Sequence, residues 1–357
     1  MPDKIKDSMR DRGSLGSSAI FPDHSVVKLW ASMTAAEVGM VAIGRNEGQR
    51  LIDCLASVKS ATNDIVYVDS GSTDGSIAAA EEIGALVVRL DLTRPFTAAR
   101  ARNEGFAALK VFQPNVSFVQ FIDGDCILVQ DWLSKALALM EQRSDVAVVC
   151  GRLRERYPTA SIYNQVLDLE WNTPIGEAIS CGGIALMRVR AFEAVGGFDP
   201  RLIAGEEPEL CVRLRKSGWK IWRLDEEMAQ HDAAMRRFGQ WWVRSVRGGH
   251  ALAEVSRIHR GSQFRIGARE TASIVFWGGL APLLIGLGTL LHPLALCGAL
   301  IYPLQVCRIA IRQGAKSSNS WQYAVFLGIE KFAQMQGLLQ FYWRRWRGKT
   351  SQLIEYK

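Results

Sequence analysis

The chain has 7 cysteines and not one Cys-x-x-Cys pair among them. That absence removes the spacing of structural zinc sites and dithiol redox centres. Scattered through apolar runs, the cysteines read as reduced, packed residues, which fits a catalytic portion in the cytosol. The N-terminal stretch MPDKIKDSMRDRGSLGSS lacks an apolar core, so it is no secretory signal. Residues 1–35 read instead as a loosely ordered leader. Neither Gly-x-Gly-x-x-Gly nor Gly-x-x-x-x-Gly-Lys-Ser occurs, which excludes a dinucleotide fingerprint and a P-loop. The formal net charge of +7 is a mild excess, and no nucleic-acid partner is expected. The longest absence is of charge itself: residues 271–307 hold no Asp, Glu, Lys or Arg. One membrane span takes roughly 20 residues, so this run fits two short spans turning near His292-Pro293. Arg265 and Arg269 precede it, and Arg308, Arg312 and Lys316 follow. Basic flanks on both sides place both ends in the cytosol. The competing reading is a buried helical hairpin of a soluble domain.

What is present is mostly core-forming, with 48% hydrophobic and 22% charged residues. Apolar β-rich runs alternate with helical patterns from EVGMVAIG to SFVQFIDGD. This βαβαβαβ order predicts an α/β domain over 36–235, with a mostly parallel central sheet and helices on both faces. In such sheets ligands bind beyond the carboxyl ends of the strands. Arg45, Asn46 and Glu47 follow the first strand, Asp69 ends the second, and Asp123 and Asp125 end the fourth. Beyond that domain, 236–270 is rich in arginine and tryptophan and reads as an interfacial helix region. The transmembrane hairpin occupies 271–311, and 318–347 reads as an amphipathic or membrane-associated helix.

In FIDGDC, Asp123 and Asp125 are two residues apart on an extended chain and point the same way. Two carboxylates converging at a strand end make a hard oxygen site for a divalent cation. A solvated turn before a helix starting near Asp131 is the plain alternative. Asp69 can accept hydrogen bonds from a base or ribose, whereas Asp74 reads as a cap on the helix beginning at Ser76. In GGFDPRLIAGEEPELCVRLRKSG, Pro208 fits the first position of a helix. Glu206 and Glu207 then lie at its positive end, which favours their ionised form. An ionised carboxylate near an acceptor hydroxyl is a candidate general base. His231 comes just after a strand and is a plausible third metal ligand.

Taken in order, VAIGRNEG, IVYVDSGSTDGS, FIDGDC, GGFD and GEEPELCVRLRKSG resemble the family 2 glycosyltransferases of GT-A fold, from about Val38 to Asp232. The resemblance implies that Asp69 and the segment Arg45 to Glu47 bind the base and ribose of a nucleotide sugar. Arg102 and Asn103 match the family's Arg-Asn-x-Gly stretch beside the nucleotide. Asp123 would contact the nucleotide, and Asp125 would coordinate Mn2+ or Mg2+ bridging the diphosphate, with His231 as the late metal ligand. Glu207 occupies the position of the catalytic base. The chain departs from the pattern in carrying Glu206-Glu207 where a Glu-Asp pair is usual. It also has QWWVR, Gln240 to Arg244, where processive members carry Gln-x-x-Arg-Trp, which points to a single transfer. The Trp241-Trp242 pair packs an interfacial helix or stacks on a sugar or lipid headgroup. The implied activity is an inverting transfer of a sugar, from a UDP-sugar as first expectation, to a lipid-linked or membrane glycan acceptor. The setting would be the cytosolic face of the inner membrane. A polyprenyl-phosphate sugar synthase and a membrane-anchored nucleotide-sugar binding protein without turnover are the rival readings.

Overall fold

The computed structural model describes residues 38–264, 266–314 and 317–348. The leader, Arg265 and Lys316 lie outside the described residues. Seven elements open the domain: β1 (Val38–Gly44), α1 (Gln49–Lys59), β2 (Ile65–Asp69), α2 (Ser76–Ile83), β3 (Leu86–Arg89), α3 (Ala98–Phe112) and β4 (Phe118–Asp123). Their strands pair in parallel in the order β3-β2-β1-β4, as the alternation predicts. β2 is buried at every position, as befits an apolar strand covered on both faces. α1 buries Leu51, Cys54, Leu55 and Val58, the i, i+3, i+4, i+7 stripe, while Ile52 stays exposed. α3 lies flat on the sheet because Gly105 has no side chain. A Cβ there would come within 2.5 Å of Val41 Cγ1 and 2.7 Å of Val68 Cγ2.

Past β4 the sheet becomes mixed. The next elements are β5 (Cys126–Leu128), α4 (Trp132–Gln142), β6 (Val146–Glu155), α5 (Ile162–Glu170), β7 (Gly176–Ala178) and β8 (Ala185–Arg188). After them come α6 (Val189–Ala194), α7 (Glu206–Lys216) and β9 (Lys220–His231). The full path is β3-β2-β1-β4-β8-β6-β9-β5, with β7 on β9. β8 runs antiparallel to β4 and β6, and β5 and β7 run antiparallel to β9. The parallel expectation therefore holds for the first four strands and for β6 with β9, not for the rest. β5, β7 and β8 are short strands that join the sheet against partners far along the chain, a pairing that the local alternation of strands and helices does not encode.

Four more helices follow among the described residues: α8 (Phe238–Ile258), α9 (Ala268–Leu291), α10 (Pro293–Arg312) and α11 (Ser318–Trp346). α9 passes through a π-helical turn at Phe276–Leu280, and α10 opens as a 3-10 helix. The break between them falls at His292-Pro293, as expected, and the His292 imidazole accepts the Leu294 amide at 3.2 Å. α9 and α10 are each long and apolar enough to cross a membrane, and only 11% and 6% of their apolar windows are buried. Exposure on that scale sets aside the buried soluble hairpin.

The region around α8 differs from the expected interfacial one. Trp241 is 2% exposed and packs with Leu167, Ala233 and Met235, with Phe326 of α11 against its ring. It is core rather than a stacking platform. α8 and α11 approach through small residues: Gly249 faces the Gln334 backbone, and Gly337 faces Val246 and His250. On its outer side α11 exposes Trp321, Val325, Leu339, Trp343 and Trp346.

Candidate active site

A cavity of about 920 Å³ opens beyond the carboxyl ends of β1 and β4 and extends under α8 and α11. β4 ends at Asp123, the chain turns through Gly124, and β5 pairs Cys126 with His231 of β9. A Cβ on Gly124 would come within 3.2 Å of the Ile43 carbonyl, so the turn sits tight against β1. The turn does not make the two aspartates converge. Asp125 is 5% exposed and faces His231, with Oδ2 3.1 Å from Nε2. Asp123 turns the other way and accepts Arg102 Nη2 at 2.8 Å.

Asp125 and His231 fit a hard divalent cation. Burial lowers the His231 pKa against the opposing carboxylates of Asp123 and Glu155, which favours the neutral imidazole a metal needs. Nδ1 has no partner among the described residues, and the Trp171 ring stands edge-on at 5.0 Å. Two ligands at right angles on an ion with bonds near 2.1 Å stand about 3 Å apart, close to what this pair shows. Cys126 belongs to the same cluster. Burial pushes its thiol well above the ordinary value, so it stays protonated and is a poor ligand for a hard ion.

Arg102, 2% exposed on α3, joins the two halves of the site. Its Nη1 donates to Glu206 Oε1 at 2.7 Å and lies 3.7 Å from Glu207 Oε1. Burial alone would lower its pKa, but Asp123, Glu206 and Glu207 raise it further, so the cation is fixed. α7 begins at Glu206, after Gly205 at φ 82°. Pro208 therefore lies inside the first turn rather than opening it, where its missing N–H has no helical partner to lose. The two glutamates divide sharply. Glu206 is 4% exposed and locked on Arg102. Glu207 is freer, and burial with repulsion from Glu206, opposed by Arg102, pushes its pKa up to about 7. That value suits a group that accepts a proton near neutrality. Gly183 passes beside the cluster, where a Cβ would meet Arg102 Nη2 at 2.5 Å and Glu207 Oε1 at 3.0 Å.

On the turn after β1, Arg45 lies over the Phe96 ring at 4.9 Å. Asn46 and Glu47 also line it. Asn46, at φ 54°, holds the next loop by accepting the Thr73 amide at 2.8 Å and donating its own amide to Ser72 Oγ at 2.9 Å. Two expected contacts do not reach the wall. Asp69 is buried, and its carboxylate accepts the Tyr67 hydroxyl and the amides of Gly71 and Ser72. Asn103 clamps Phe198 by both amide atoms, at 2.7 and 3.0 Å. Both side chains organise loops that shape the site. Asp74 likewise accepts the amides of Ser76 and Gly48. Glu170, Arg244, Ser245, Arg247, Glu330 and Gln334 line the cavity without having been singled out as site residues. Only Arg244 carried a signal, its place in QWWVR, and it forms a two-pronged pair with Glu170 at 2.9 and 3.0 Å.

Residues 41–196 match the model described as "Glycosyl transferase family 2". The chain is 26% identical over 245 residues to the glycosyltransferase AglE of Haloferax volcanii, covering 65% of this chain and 76% of that one. It is 23% identical over 203 residues to the O-antigen chain rhamnosyltransferase RfbN of Salmonella typhimurium, covering 52% and 63%. In three dimensions it superposes on the mannosyltransferase PcManGT of Pyrobaculum calidifontis, solved with GDP-Man and Mn2+, with a TM-score of 0.56. That match has 15% identity and covers 87% of this chain and 88% of that one. The shared fold is the GT-A arrangement that the motifs imply.

Proposed function

We propose that the chain, whose residues 41–196 match the family 2 glycosyltransferase model, is a glycosyltransferase that moves a sugar from a nucleotide-sugar donor to a glycan acceptor at a membrane face, with inversion. The observation that supports it best is the Arg102 junction, which puts the Asp123 strand end and the Glu206-Glu207 helix start in one cavity. Asp123 and the Arg45 to Glu47 segment hold the nucleotide. Asp125 and His231 would hold Mn2+ or Mg2+, which when bound offsets the charge developing on the nucleoside diphosphate. Glu207 accepts the proton of the acceptor hydroxyl as that oxygen bonds to the anomeric carbon. The bond from that carbon to the donor's phosphate oxygen breaks, and the diphosphate carries away the electron pair. Glu206 is held by Arg102, which leaves Glu207 the freer of the two carboxylates. The named relatives support a glycan acceptor, and PcManGT supports a metal-dependent donor site. The exposed apolar α9 and α10, with the aromatic outer side of α11, support anchoring in a membrane and a lipid-linked acceptor. The basic flanks support a cytosolic placement of both ends of the hairpin, and so a site at the cytosolic face of the inner membrane.

The test is a panel of UDP-, GDP- and TDP-sugars, each titrated with and without Mn2+ and read by thermal shift. At least one should raise the melting midpoint, more strongly with the metal. No shift from any of them would sink the reading.

A further inference from the structure

The cavity's second end is built by α8 and α11, which lie outside residues 41–196, together with Glu170 of α5, and it is not a simple continuation of the nucleotide site. We propose that α11 supplies an acceptor wall, in which Glu330, Gln334, Ser245 and the Glu170–Arg244 pair hold the hydroxyl groups of a saccharide. This rests on the glycosyltransferase reading above and names the chemical class its acceptor site takes.

Four observations support it. First, Glu330 and Gln334 line the same cavity as Glu207, so a ligand of saccharide size in it has both within its walls. Second, the pair is prearranged. Gln334, 8% exposed, donates to Glu330 Oε1 at 2.8 Å and accepts Lys331 Nζ at 3.0 Å. Its backbone is wedged against Gly249 of α8, so the helix cannot slide without unpacking. Third, Ser245 is 2% exposed, lines the cavity, and its hydroxyl has no partner among the described residues. A buried hydroxyl without a partner is costly, and a ligand hydroxyl would supply the partner. Fourth, burial and repulsion from Glu170, offset by Lys331 and Arg244, push the Glu330 pKa up to about 7.

The chemistry favours hydroxyls over an anion. Two carboxylates on this wall disfavour phosphate, Glu170 already engages the Arg244 guanidinium, and Arg247 donates to the Ile203 carbonyl at 3.1 Å. A sugar hydroxyl both donates and accepts, which matches carboxylate, amide and serine hydroxyl on one surface. A few placed polar groups in a cleft are the usual means of fixing a ligand's orientation.

The experiment uses the full chain in detergent, the nucleotide sugar that gives the largest shift in the panel, and a set of octyl glycosides as acceptor probes. Glu330→Gln should raise the KM for the accepted glycoside by about tenfold, the loss of one or two hydrogen bonds to a charged group. Donor affinity with Mn2+ should match the parent, and Glu330→Asp should recover part of the loss. A parent-like acceptor KM in Glu330→Gln overturns the assignment. So does a loss of donor affinity in step with it, and so does a parent protein that neither binds nor glycosylates any glycoside. Donor binding that no longer needs Asp125 would instead overturn the functional reading beneath it.

Discussion

At the nucleotide end of the cavity the side chains arrive on the turns after β1 and β4, and their charges are committed to one another. Arg102 holds Asp123 and Glu206, and Asp125 faces His231. At the opposite end they arrive on three helices, α5, α8 and α11, from positions as far apart as Glu170 and Glu330. Here order comes from close helix packing, with glycines letting α8 and α11 meet backbone to backbone. The first end is set by electrostatics on a rigid sheet and should tolerate little chemical change. The second is set by packing and should tolerate little steric change.

Changing one atom type at the nucleotide end should have the largest effect. Asp125→Ala removes half of the proposed ion's protein ligands. Metal-dependent donor binding and transfer should both vanish, by calorimetry and by product assay, while the fold survives. Normal metal-dependent donor affinity in that variant would reduce the turn to a structural one.

Next comes Glu207→Gln, between the two ends. Transfer should fall by about 10²–10⁴, the usual worth of a positioned base, with donor affinity retained. The parent rate should climb as pH rises through about 7, the value to which the Glu207 pKa is pushed, and the variant should lose that step. The sign for stability is opposite. With its pKa raised in the folded state, Glu207 binds more protons there than when unfolded, between the ordinary glutamate value and about 7. Stability therefore falls as pH rises across that window, and Glu207→Gln should melt higher than the parent above pH 7. Parent-rate transfer by the variant would point to an acceptor phosphate, as a polyprenyl-phosphate sugar synthase uses, which needs no strong base.

The smallest effect on chemistry, and the cleanest on packing, is expected for Gly337→Leu. The new side chain would overlap the Val246 carbonyl, and overpacking typically destabilises by about 1–3 kcal/mol. The melting midpoint should drop while donor affinity stays at the parent value. A fall in donor affinity would mean the two ends are not separable.

That division also explains what the sequence discloses. β1 to β4 and their helices follow from apolar periodicity, and Asp123, Asp125 and His231 stand at strand ends that the pattern marks. Mixed pairing beyond β4 is not legible, because β5 and β7 are three residues each and their partner β9 lies far along the chain. Asp69 and Asn103 look like ligand contacts, since strand-end or cavity-side polar residues usually are. Whether such a group meets a ligand or its own loop depends on a few ångströms of backbone that no motif encodes. Glu330 and Gln334 carry no signal at all, because helix periodicity shows that they share a face without showing what that face covers.

The order in which the ribosome delivers these parts gives the α8–α11 contact one more consequence. Every side chain of the nucleotide end has emerged once His231 is made, whereas Gln334 follows about a hundred residues later. At about 5–20 residues per second, that interval is on the order of 5–20 s. Both long apolar helices are translated within it. The residues of the proposed donor site are thus made first, and α11, with the proposed acceptor wall, is made only after α9 and α10. If α9 and α10 enter a bilayer, as proposed, the nascent chain meets its membrane before the wall on which the acceptor would rest exists.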